Sequence, residues 1–121
     1  MDGSEFNIAI CSRCGGSGEP GRQLAAALLP MAAAEGFRVE TVACFAGCDR
    51  PLAVAFTAPA KASYLFGDIF LESDVEALLS FGRLYRSLPD GWSKESDRPA
   101  GLRGKTVARI PFFPGAKAMP A

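Results

Sequence analysis

Residues 6–43 read FNIAICSRCGGSGEPGRQLAAALLPMAAAEGFRVETVA, and the fold turns on how this stretch is divided. Phe6 to Ile10 alternates apolar and polar residues and runs straight into Cys11, the pattern of a first strand. A glycine-rich loop, Gly15 to Gly21, follows. Arg22 to Glu35 is rich in Ala and Leu, with Leu24, Leu28 and Met31 at helical spacing. Pro30 is expected to kink or shift that helix, and Gly36 to cap it. Phe37 to Ala43 alternates again and ends at Cys44. The stretch is therefore a β-α-β unit, whose right-handed crossover makes its two strands parallel.

Beyond it, a loop covers Phe45 to Pro51. Leu52–Thr57 and Ala62–Phe66 read as two strands of a hairpin around Ala58-Pro59-Ala60-Lys61. Ser73-Asp74-Val75-Glu76 has the form of a capping box and is expected to open a helix with Val75, Leu78, Leu79 and Tyr85 on one side. Leu88-Pro89-Asp90-Gly91 is a turn signal that ends it. The order is β-α-β-β-β-α, an α/β arrangement with a mixed sheet, close to that of a minimal thioredoxin-like domain. A single domain spans 1–121, with its core at about 5–87 and a Pro/Gly-rich C-terminal tail at 88–121, in which Thr106 to Ile110 reads as a short strand.

Composition narrows the chemistry. Lys+Arg and Asp+Glu are 13 each, so the net charge is zero, which argues against nucleic acid as a partner. The longest apolar run, Leu24 to Ala34, is too short for a bilayer and includes Pro30. The acidic, polar N-terminus lacks the layout of a signal peptide, so the expected location is cytoplasmic, where cysteines more often bind metal or do redox work than form disulfides. There is no histidine, which removes His general bases, the Ser-His-Asp triad and His-ligated metals.

The four cysteines are Cys11, Cys14, Cys44 and Cys48, a C-x2-C and a C-x3-C pair. Each pair follows one strand of the parallel unit. If those strands are neighbours, both pairs meet at one sheet edge, the geometry a four-thiolate site needs. Soft thiolates select an iron–sulfur cluster or zinc. A dithiol oxidoreductase using Cys11 and Cys14 also stands open, because a C-x-x-C between a core strand and its following helix has that arrangement. Gly16, Gly18 and Gly21 match a G-x-G-x-x-G dinucleotide fingerprint with Glu40 downstream. That signal is weak on its own, and Pro20 has no N–H to offer a pyrophosphate. Arg13, Arg50 and Lys61 are cations that a negatively charged cluster would favour nearby.

The stretch CFAGCDRPLAVAFTAPAKASYLFGDI (44–69), with CSRC (11–14) upstream and RLYRSLPDG (83–91) and ARIP (108–111) downstream, resembles a family of small metal-binding proteins of thioredoxin-like [2Fe–2S] type. The resemblance covers about residues 7–111. More broadly the chain is similar to thioredoxin-like ferredoxins, which also use C-x3-C as the second pair and space the first pair more widely. The resemblance implies a [2Fe–2S] cluster held by Cys11, Cys14, Cys44 and Cys48, and one-electron transfer or redox sensing rather than catalysis. A four-cysteine zinc protein is the alternative. The implied partner is another redox protein, with no nucleic acid or membrane, and a homodimer is compatible with the same reading.

Overall fold

The computed structural model describes residues 6–11, 19–42 and 52–112, the side chain of Glu72 aside. Strand β1 (Asn7–Cys11) leads to helix α1 (Glu19–Glu35) and strand β2 (Arg38–Val42). Strands β3 (Val54–Thr57) and β4 (Ser63–Phe66), helix α2 (Leu71–Ser87) and strand β5 (Thr106–Ile110) follow, with two 3-10 turns ahead of β5. The five strands form one mixed sheet in the order β2-β1-β3-β4-β5. Only β1 and β2 are parallel; β3, β4 and β5 each run opposite to the strand before them in that order.

The interior strand β1 explains the architecture. Ile8 and Ile10 of β1 are fully buried, and Ala9 and Cys11 on the alternate positions are buried as well. A strand covered on both faces reads as a near-continuous apolar run, and only an interior position in the sheet suits it. β2, with Arg38, Glu40 and Thr41 exposed, takes the edge.

α1 buries Leu24, Leu28 and Ala32, four residues apart, along one stripe. Pro30 lies inside the helix on its exposed side and does not end it. The carbonyl that loses its partner belongs to Ala26, also solvent-facing, so the cost is low there. Gly36, at φ +86°, ends the helix as expected: its N–H donates to Ala33 O (3.2 Å) and that of Phe37 to Ala32 O (2.9 Å), the paired bonds of a Schellman cap.

The core is aromatic. Phe56, Tyr64 and Phe66 of the sheet meet Phe81 and Tyr85 of α2, mostly edge to face, with Phe56 and Phe81 centroids 4.8 Å apart. Phe6 and Phe37 (4.5 Å) extend the cluster toward α1. A Cβ on Gly82 would stand 2.8 Å from the Phe37 ring, so only glycine lets α2 approach there. Arg83 clamps Glu35 of α1 with paired bonds, and Arg86 donates to the Glu35 carbonyl (2.6 Å).

Two expectations need correction. α2 starts at Leu71, not at a Ser73 capping box. The carboxylate of Asp74 reaches back to accept the Phe70 N–H (2.8 Å) and pairs with Lys105 Nζ (2.7 Å), so the aspartate inside the first turn does the capping. The stretch after Leu88, read as a tail holding a short strand at Thr106 to Ile110, has that strand as β5, and the residues ahead of it are also fastened to the core. Tyr64 Oη bonds the Gly91 carbonyl and Ser93, Leu102 is fully buried, and β5 completes the sheet. Arg98, almost wholly buried, joins Ser93, Glu95 and Thr106 through its guanidinium. A polar hub of this kind leaves little apolar periodicity to read.

Candidate metal centre

Cys11 closes β1. Alternation puts its side chain on the face shared with Ala9, opposite Ile8 and Ile10, and it is 1% exposed. On one side it stands in register with Val42, the last residue of β2. On the other its N–H donates to the Ala53 carbonyl just ahead of β3 (3.0 Å). The chain that leaves Val42 and returns at Leu52 thus begins on one flank of Cys11 and ends on the other. Cys44 and Cys48 belong to that connection in sequence.

Cys14, Cys44 and Cys48 lie outside the described residues, as do Arg13, Arg50 and most of the glycine-rich loop. Their anchors do not. In sequence, Cys14 is three residues from Cys11, Cys44 two from Val42 and Cys48 four from Leu52. Among the described residues no three metal-ligating carboxylates or thiols gather at one point, and Cys11 is the one predicted ligand that they include.

The same end of the sheet carries a loop the sequence reading did not assign to the site. Gly67 N–H donates to Lys105 O (2.9 Å) and Ile69 N–H to Leu52 O (3.2 Å), so residues 67–70 brace the return of the chain into β3. Asp68 holds φ at +56°, and Phe70 is exposed with Lys105 Nζ 4.9 Å over its ring.

Lys61 is overturned as a neighbour of the cysteines. It sits in the β3–β4 turn, and register puts that turn at the opposite end of the sheet: Asn7 pairs with Thr57 there, while Ile10 pairs with Val54 at the cysteine end. Its ammonium donates to the carbonyls of Tyr85 (2.8 Å) and Arg86 (3.1 Å) at the C-terminal end of α2. Burial holds its pKa below the usual lysine value. The helix dipole and the terminal carbonyls account for a cation there without any cluster. As for the glycine fingerprint, Gly21 is buried in the first turn of α1 beside Pro20, a turn that lacks one N–H donor for a phosphate, and Glu40 is exposed on β2.

No helix among the described residues is long and apolar enough to cross a membrane. No curated protein and no solved structure matches the chain. One family pattern does, over residues 8–112, which takes in all four cysteines and every strand but the first residue of β1; the chain belongs to that family, described as proteins of unknown function, DUF1636.

Proposed function

We propose that this protein is a small thioredoxin-like [2Fe–2S] protein whose ligands are Cys11, Cys14, Cys44 and Cys48, working in one-electron transfer or redox sensing. The observation that carries this reading is the position of Cys11 between Val42 and Ala53, which makes both ends of the connection bearing Cys44 and Cys48 its neighbours. The strand order β2-β1-β3-β4, with β1 and β2 parallel and β3 reversed, supports the thioredoxin-like part, and β5 is an addition at the far edge. A buried thiol at a strand end fits a soft metal group that tolerates little solvent. When bound, the cluster would supply a single-electron couple; the chain's own part is to fix the thiolates and shield the sulfurs. A cytoplasmic setting suits thiols that must stay reduced to ligate.

The burial of Cys11 counts against the dithiol reading, in which this cysteine would be the exposed attacking thiolate.

The test is the visible spectrum of anaerobically purified protein before and after dithionite, with iron and acid-labile sulfide measured on the same sample. A red-brown protein that bleaches on reduction, with iron and sulfide in equal amounts, is expected, and Cys48→Ser should abolish both colour and sulfide. A colourless protein holding zinc and no sulfide would replace the cluster with a four-cysteine zinc site. Thiol–disulfide activity that survives Cys48→Ser would favour the dithiol.

A further inference from the structure

The structure assigns a surface for a second copy of this chain: the open edge of β2, paired antiparallel with its own symmetry mate about Val39. The argument rests on β2 and not on the cysteines. Among the described residues β2 is the end strand of the sheet, and one row of its backbone groups has no described strand beside it. Which residues own that row follows from the ladder. The Arg38 N–H donates inward to Phe6 O (3.3 Å), so Arg38 and Glu40 spend their backbone groups on β1, and Val39 and Thr41 direct theirs outward.

Antiparallel pairing centred on Val39 makes Val39 and its mate a hydrogen-bonded pair. It also sets Thr41 opposite Phe37, with the Thr41 N–H aimed at the Phe37 carbonyl. Arg38 of each copy then falls opposite Glu40 of the other, at the closer, non-hydrogen-bonded positions where side chains meet best. Both residues are exposed. The strand's two charges are thus complementary to themselves under a two-fold axis, and an isologous interface requires that property. Charges of one sign on an edge repel a second strand; this alternating pair attracts one.

The opposite face of the strand agrees. A groove of about 300 Å³ runs between α1 and β2, lined by Ala25, Ala26, Leu29, Val39, Glu40 and Thr41. Leu29 is 52% exposed. A two-fold through Val39 brings the two grooves together, so that each copy's Leu29 covers the other's apolar edge. The far edge of the sheet lacks these features. β5 is bulged opposite Leu65/Phe66 and runs into Pro111, both of which resist pairing, and its one charge, Arg109, lies 3.5 Å over the Trp92 ring.

Sedimentation velocity at tens of micromolar tests this. The wild type should be a dimer. Arg38→Glu and Glu40→Arg, each of which sets like charges face to face, should weaken it by at least about tenfold in Kd, and the double variant should restore it. Val39→Pro removes the outward N–H together with the Val39 side chain at the margin of the core, and should give a monomer that keeps its α/β circular dichroism signature. A monomeric wild type, single reversals that leave Kd unchanged, or a double variant that stays monomeric would each overturn the assignment.

Discussion

Ala60 sits in the β3–β4 turn at φ +63°, a left-handed conformation that costs an L-residue about 1 kcal/mol. Nothing in the turn sequence Ala58-Pro59-Ala60-Lys61 announced it, because Ala is not the residue that such a position favours. Ala60→Gly should therefore stabilise the protein, by about 0.5–1 kcal/mol, read as a rise in Tm of a few degrees. Gly36 is the opposite case: glycine was legible as a cap, and the backbone uses it as one. The site divides along the same line. The spacing of the cysteines was legible because it is local. That Cys11 lies between Val42 and Ala53 is a fact of topology, and that Lys61 belongs to the far end follows from register, which no local pattern encodes.

At the scale of elements, the strands fell within two residues of their expected places because alternation reflects real burial, while α1 began three residues earlier than expected, at Glu19 inside the stretch read as a glycine-rich loop. The start of α2 was also displaced, since Asp74 caps from within the first turn while paired to a lysine 31 residues away. The α1–α2 contact makes a pH prediction. The Arg83 guanidinium bonded to Glu35, with Arg86 nearby, holds the Glu35 carboxyl below its ordinary value of 4.5. A carboxylate with a lowered folded pKa adds stability that is complete above the unfolded value and fades as pH falls through the folded one. Urea melts from pH 6 down to pH 3 should thus show the wild type losing more stability below about pH 4.5 than Glu35→Gln, whose own contribution does not titrate. Equal slopes for the two proteins would show that the clamp adds nothing.

For the whole molecule, the segment from Gly91 to Lys105 is the largest departure from the sequence reading, while the strand expected at Thr106 to Ile110 is present as β5. The Pro and Gly content of the chain after Leu88 suggested a tail, but Tyr64 Oη, Asp74 and the edge of β4 all find their partners there. A chain cut after Leu88 would leave the Tyr64 hydroxyl without the partners at Gly91 and Ser93, at a cost of about 1–3 kcal/mol, would take Lys105 from Asp74, which keeps only its capping bonds, and would strip β4 of a neighbour. Against a stability of about 5–15 kcal/mol for a domain, that loss is decisive. The shortened chain should show no cooperative melt and rapid proteolysis; a sharp transition near the wild-type Tm would restore the tail reading.

The buried ammonium of Lys61 gives the fold a built-in chemical clock. An amine-acylating reagent reaches Lys94, which is exposed, at once. It reaches Lys61 only when the C-terminal end of α2 lifts off the hairpin beneath it. The ratio of label at the two lysines, followed over time by mass spectrometry, therefore counts openings of that end of the molecule. Run on protein with and without the proposed cluster, it would tell whether a group held at the cysteine end of the sheet steadies the other end.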